Sequence, residues 1–351
     1  MRGGLYDSPM LDPPDPTAPP GSLRGITEGH LSTGALEDAT TDQLALALLE
    51  RIRSSQPPPS FSTRQLLGAL DLELEPWACV HENRRSAKWI CDLFHAYTRS
   101  PEHLPPLADS VVVELGCGSA NPLSLLLVFL LLGAKRGIAV DLDQVADHRL
   151  ASRALSRIAS YMLTDPGSIT GNMSPSRPEV VERLSAFDLS LLWQGDSAGV
   201  DWNRLALRHE SAEALSLDDD EADLVLSNSF LEHVSSVDTA IAEMARITRS
   251  GGYGVHQIDG IDHVHYAESD HHPLDFLRVD SSETLVGECN RVRPLDYADI
   301  FDRHGFDVLQ IHEDHRIPIG EDVRNSFVEP YRSMPEKTLE VIGAAYNVRR
   351  R

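Results

Sequence analysis

The stretch VVVELGCGSANPLSLLLVFLLLGAKRGIAVDLD, Val111 to Asp143, decides the fold. Its first residues are β-branched and stop at glycine, which reads as a buried strand. Leu123 to Leu132 is then apolar at all but one position. A bilayer-spanning helix needs about 20 apolar residues, and this run ends at Gly133 after half that number. It therefore reads as a helix buried on most of its circumference, covered by a sheet on one side and by neighbouring helices on the other. RGIAVDLD follows as a second short apolar run ending in an acid. Strand, glycine turn, helix, strand is a βαβ unit, which implies parallel strands and a right-handed crossover.

The rest of the chain agrees with a globular α/β protein. Its 351 residues are 41% hydrophobic, ordinary for a chain that buries a core. With 54 acidic against 31 basic side chains the net charge is −23, which repels a phosphate backbone, so nucleic acid is not an expected partner. Cys79, Cys91, Cys117 and Cys289 are scattered without a C-x-x-C pair, which suits a reducing compartment and speaks against a disulfide framework or a structural zinc site. MRGGLYDSPM has no apolar segment behind its charge, so neither a secretory signal nor a membrane anchor is expected, and the protein reads as cytoplasmic.

Upstream of Val111, residues 1–36 are proline-rich and read as a disordered tail, and 37–106 as a helical cap. In that cap TTDQLALALLERIRSS reads as a helix with Thr41 at its N-cap, and Trp89, Ile90, Leu93, Phe94 and Tyr97 share one face of another helix. Downstream, 164–203 has no obvious regular structure, a length usual for a functional lid or an insertion, and we expect a mobile cover there. A strand in LALRHESAEAL, a fourth with its exit loop in ADLVLSNSFLEHV, a fifth in SGGYGVHQID, the strand after DYADIFDRHG and a C-terminal strand in LEVIGAAYNVRR complete the set.

VVVELGCGSA, IAVDLD, ESAEALSLDDDEADLVLSNSFLEHV, ARITRSGGYGVHQID and YADIFDRHGFDVL, in this order and spacing, resemble class I S-adenosylmethionine-dependent methyltransferases from about Val111 to the C-terminus. The resemblance implies a Rossmann-like, mostly parallel seven-stranded sheet of order 3-2-1-4-5-7-6, S-adenosyl-L-methionine as cofactor and methyl transfer as the activity. It also distributes roles. Gly116, Cys117 and Gly118 form the loop where backbone approaches the cofactor, with Ala120 in place of a third glycine. The alternative is a tight structural turn. Glu114 is similar to the family's acid for the methionyl amine. Asp141, 23 residues after Gly118, with Leu142 beside it, matches the acid that accepts the ribose hydroxyls, the alternative being a solvated loop acid. Ser211 stands where an acid usually meets the adenine amino group, and Ala212 offers a backbone amide to the ring. Asn228 falls beside the expected sulfonium.

The acceptor is sought at the exits of strands four and five. His233 follows NSFLE, and five of the 15 histidines lie between His256 and His272, among Asp259, Asp262 and Asp270. His233, His263 and Asp259 are the candidate catalytic residues, because an imidazole titrates near neutrality and takes a proton as transfer proceeds. A positioning hydrogen bond by His233 and a solvated acidic loop are the bland alternatives. A divalent metal on Asp259, Asp262, His263 and His265 is the sharper one, to which we do not commit. Asn290, Arg291 and Arg293 could hold an acidic or sugar-like acceptor, the alternative being that the arginines, standing before a helix, make surface ion pairs. The expected reaction is methyl transfer to an oxygen or nitrogen of a small molecule. A catalytically silent S-adenosylmethionine-binding subunit and a cofactor-dependent enzyme of other chemistry remain the alternatives, and homo-oligomerisation stays open.

Overall fold

The Ser86 hydroxyl accepts from Trp89 N–H at 3.0 Å and caps α1, Ala87–Tyr97. The structure is a computed structural model and describes residues 84–351 apart from 268–269, 281–284 and 287–288. The expected tail, the helix at Thr41 and Cys79 lie outside the described residues. Within α1, Ile90, Phe94 and Tyr97 are buried, and Phe94 meets Phe129 at 5.5 Å between ring centroids.

The βαβ unit forms as read. Strands β1, Val111–Leu115, and β2, Arg136–Asp141, pair in parallel and flank α2, Ser124–Leu132. Ser124 through Leu131 of that helix are all buried, which accounts for the unbroken apolar run. Asp147 caps α3, His148–Thr164, by accepting from Leu150 N–H at 3.0 Å.

The segment 164–203 corrects the expectation of an irregular cover. It holds a helical turn at Gly167–Thr170, then α4, Arg177–Leu184, and α5, Leu189–Gln194. Val180, Leu184 and Leu192 are buried, Arg183 donates to the Leu131 carbonyl at 2.6 Å, and Arg153 of α3 donates to the Trp193 carbonyl at 3.2 Å. Burial of those apolar side chains, each worth about 1.5–3 kcal/mol, packs the segment on α2 and α3 as a helical layer.

The remaining sheet strands are β3, Leu205–His209; β4, Ala222–Asn228; β5, Thr248–Asp259; then, beyond a two-stranded ribbon of β6, Leu285–Val286, and β7, Cys289–Asn290, β8, Phe306–Arg316, and β9, Val341–Arg350. The seven-stranded sheet runs β3-β2-β1-β4-β5-β9-β8, which, counting sheet strands alone, is the order 3-2-1-4-5-7-6. Strands β1 to β5 are parallel and β9 is antiparallel to both its neighbours. Between β4 and β5 runs α6, Val237–Ile247, with Val237, Ala240, Ile241 and Met244 buried on its sheet face, and α7, Tyr297–Arg303, precedes β8. A second, smaller core of Leu274, Phe276, Leu277, Cys289, Phe327, Leu339 and Ile342 gathers the segments that follow β5 and precede β9. That core contributes Cys289 to the site described next. Among the described residues no helix is long and apolar enough to cross a membrane.

Candidate functional site

Register puts the carboxyl ends of β1 to β5 on one edge: Leu115 opposite Val140 and Ser227, Asp141 opposite His209, and Asn228 opposite Gln257. In parallel sheets that edge is where ligands bind. The loop leaving β1 lies there with Gly116 at φ +70° and Gly118 at φ +74°, conformations costly for any residue with a β-carbon. A β-carbon on Gly116 would strike the Phe230 ring, whereas one on Gly118 would meet nothing nearer than Arg84 Nη1 at 4.0 Å. Gly116 is thus a packing glycine, and Gly118 leaves the open approach. Cys117 sits between them, half-buried, its N–H on the Val140 carbonyl at 3.3 Å and its thiol pushed above the usual range by desolvation.

Asp141 reaches back to that loop. Its Oδ2 accepts from Gly118 N–H at 2.7 Å and its Oδ1 from Asp143 N–H at 2.9 Å. Each carboxylate oxygen keeps a second lone pair, so a diol can still be bound. Leu142 beside it is 72% exposed, unusual for a large apolar side chain and apt for covering a flat ring. From β3, Glu210 N–H donates to the Asp141 carbonyl at 3.1 Å, which brings Ser211 and Ala212 alongside. The Ser211 hydroxyl accepts from Glu213 N–H at 3.1 Å, closing the turn, and Ala212 is buried. Asn228 ends β4, and Ser229 after it is held at φ +43°, local strain of a kind that collects at functional turns.

Glu114 is the electrostatic centre of this half. It is 5% exposed, and burial first, then the charge of Asp141, push its carboxyl up to about 8. The Tyr97 hydroxyl of α1, buried without a hydrogen-bond partner, is pushed up by the same burial and by Glu114. A cation entering here would favour the ionised form of that carboxyl and would stand beside an unused hydroxyl. These groups fit the methionyl amine, ribose and adenine of S-adenosylmethionine.

The other half lies at the exits of β4 and β5, where three expected residues converge. The His233 and His263 rings meet edge-on with centroids 4.7 Å apart, and His263 Nε2 is 3.7 Å from Asp259 Oδ2. Asp259 also accepts from Tyr266 Oη at 2.5 Å. Two further residues join them. Donor atoms of His233, His263 and Cys289 lie within 4.8 Å of one another, as do those of Glu232, Asp259 and His263. Glu232 is 2% exposed with neither carboxyl oxygen hydrogen-bonded, and burial, then Asp259, holds it well above the usual carboxylate range. Burial likewise pushes the Cys289 thiol up to about 12.

Several expectations fail here. Asp262 and His265 do not join Asp259 and His263: Asp262 Oδ2 pairs with His271 Nε2 at 2.8 Å, and His265 Nδ1 with the His271 carbonyl at 2.5 Å. The set Asp259, Asp262, His263 and His265 is therefore split. Asn290 and Arg293 are braces. Asn290 donates to the carbonyls of Leu231 at 2.8 Å and Val234 at 3.3 Å, and the fully buried Arg293 to those of Gly260 at 2.9 Å and Val341 at 3.3 Å. Arg291 lies over the Tyr331 ring and donates to the Val279 carbonyl at 2.8 Å. His256 is core, stacked on Phe301 and paired with Ser227 Oγ at 2.9 Å, and burial lowers its pKa to about 3. Of the residues not foreseen, Glu232 stands next to His233 in FLEHV, so adjacency was its signal; Cys289 had none beyond its residue type.

Residues 164–255, which span the helical layer, β3, β4 and most of β5, match the family model of a methyltransferase domain. The strand order and the glycine loop over its carboxyl edge have the arrangement of the class I S-adenosylmethionine-dependent methyltransferase fold, and this match agrees with it. Similar solved structures include a methyltransferase of this kind from Methanosarcina mazei, 15% identical, covering 72% of this chain and 97% of that one with a TM-score of 0.40. Another from Mesorhizobium loti is 15% identical, covering 74% and 100% at 0.39. The [4+2]-cyclase SpnF is 13% identical, covering 76% and 81% at 0.40. No curated protein is significantly similar in sequence.

Proposed function

We propose that the enzyme methylates an oxygen or nitrogen of a small molecule, with Glu114, Gly116, Cys117, Gly118, Asp141, Leu142, Ser211, Ala212 and Asn228 around the cofactor and His233, His263 and Asp259 meeting the acceptor. The observation that carries this reading is the convergence of those last three side chains just past Asn228, on the same sheet edge as Asp141. S-adenosylmethionine, when bound, supplies an activated methyl group. Displacement at that carbon needs the nucleophile in line with the leaving sulfur, so holding the acceptor contributes most of the rate, and removal of its proton by the histidine and carboxylate group contributes the rest. A net charge of −23 favours a small acceptor over nucleic acid, and the scattered cysteines favour the cytoplasm. The test is formation of S-adenosylhomocysteine from S-adenosylmethionine with fractionated metabolite extract. We expect one fraction to support turnover and yield a product heavier by one methyl group. A folded, cofactor-binding protein that turns over with none would instead support a silent subunit. Turnover without a methylated product would support other chemistry.

A further inference from the structure

We propose that His233, His263 and Cys289, with a carboxylate from Glu232 or Asp259, form a site for one divalent transition-metal cation, zinc by preference. Two imidazoles, one thiolate and one carboxylate are a donor set that zinc, cobalt(II) and iron(II) take up, while magnesium and calcium prefer oxygen throughout. The donors come from three separate parts of the fold: the turn after β4, the end of β5 with the residues following it, and β7. Their convergence is tertiary, not a local helix face. Donor atoms on one tetrahedral zinc stand roughly 3.3–3.7 Å apart given bonds of about 2.0–2.3 Å, so the His233, His263 and Cys289 atoms, all within 4.8 Å of one another, close by about 1 Å, and the carboxylate reaches them through His263, which also lies within 4.8 Å of Glu232 and Asp259.

Glu232 is the independent sign that the place is built for a cation. A carboxyl 2% exposed, with only the nearby Glu232 and Asp259 N–H groups beside it and no well-aligned hydrogen bond to either oxygen among the described residues, is a cost the fold carries unless something is held there. His263 Nε2 is likewise buried without a hydrogen-bond partner. On binding, the Cys289 thiol yields its proton to solvent, so uptake of the ion releases protons. The use of the ion in the reaction rests on the acceptor-side reading above, since it would hold an acceptor through a lone-pair-bearing atom such as a hydroxyl oxygen. Its occupancy does not rest on that reading.

The experiment is cobalt(II) titration of the full chain after removal of metal with a chelator, under reducing conditions. We expect one cobalt per chain with a sulfur-to-cobalt charge-transfer band and the visible bands of a tetrahedral ion. Cys289→Ser should abolish the charge-transfer band. Glu232→Gln and His263→Ala should each weaken binding at least about tenfold, with far-ultraviolet circular dichroism unchanged. His265→Ala with His271→Ala should leave binding intact. Absence of stoichiometric binding, or binding that survives in Cys289→Ser and His263→Ala or is lost with His265 and His271, would overturn the site. None of those results bears on methyl transfer, which S-adenosylhomocysteine formation reads separately. Should Cys289→Ser fail to fold, loss of the visible bands in His233→Ala carries the same weight, and their persistence there refutes the site.

Discussion

The two halves of the sheet edge are built by different means. Around β1, β2 and β3 the half proposed to hold the cofactor is made of strand-end features: a loop at positive φ, N–H groups turned to one carboxylate, and a buried acid. Every part of it lies within a few residues of where its strand stops. Past β4 and β5 the other half is made of side chains that sequence holds far apart, His233, Asp259, His263 and Cys289, where the main sheet core around Leu231, Val234 and Ile258 meets the small second core that holds Cys289. A backbone site recognises what all members of a fold share, while a side-chain site is free to differ. Cofactor recognition and acceptor chemistry should therefore separate under mutation.

The largest effect is expected on the acceptor side. His263→Ala should lower turnover by about 10² to 10⁴, the range for losing a group that acts in proton transfer, while affinity for S-adenosylmethionine stays nearly constant. Steady-state turnover alongside calorimetric cofactor titration checks this. A parallel fall in both quantities would mean that the two halves are not separable.

On the cofactor side, Glu114 makes the stability of the cofactor-free enzyme depend on pH. Its folded-state pKa of about 8 lies above the value of about 4.3 for an unfolded glutamate. Between those values the native state holds a proton that the unfolded chain has released, so stability falls as pH rises through the window and levels off above about 8. The fall amounts to up to about 5 kcal/mol. Glu114→Gln should flatten the curve and be the more stable protein at pH 8, read by denaturant midpoints across the range. An unchanged slope in that variant would mean that Glu114 is not the group responsible.

Asp141→Ala comes next. It removes the acceptor expected to take two ribose hydroxyls, and hydrogen bonds to charged groups are worth about 1.5–3 kcal/mol each, so cofactor affinity should drop by about 2 kcal/mol, roughly thirtyfold. The Gly118 and Asp143 N–H groups lose their partner too, but both lie at the solvent edge, so folding should survive. Unaltered affinity in a folded variant would remove β2 from the cofactor site.

What could be read from the sequence follows the same division. Gly116, Gly118 and Asp141 were legible because strand ends and a spacing of 23 residues place them without reference to the rest of the fold. The helical layer at 164–203 was partly legible, since Ser176 and Glu179 form a capping box, with the Ser176 N–H on Glu179 Oε2 at 2.8 Å, an S-x-x-E signature that passes for a loop among prolines and glycines. The histidine-rich stretch after β5 was legible as chemistry but not as geometry. His263 and His265 lie two residues apart and turn to different partners, because Asp262 engages His271 and draws His265 toward the same loop. Asn290 and Arg293 mislead for a related reason. Polar side chains near a site and polar side chains that brace its walls have the same composition, and only burial tells them apart.

Leu142 offers the smallest and sharpest test of the comparison. At 72% exposure it contributes little to folding, and substitutions at such positions usually shift stability by less than about 0.5 kcal/mol. Beside Asp141 at the exit of β2, however, it is placed to lie against the adenine, where covering part of a leucine side chain is worth about 1 kcal/mol, below the 1.5–3 kcal/mol of full burial. Leu142→Ser should thus leave the unfolding midpoint where it is and weaken cofactor binding roughly fivefold. Stability and affinity measured on the same preparation decide it. If both fall together the side chain is packing that the cofactor-free fold already uses, and if neither falls the adenine lies elsewhere along the edge, toward Ser211 and Ala212.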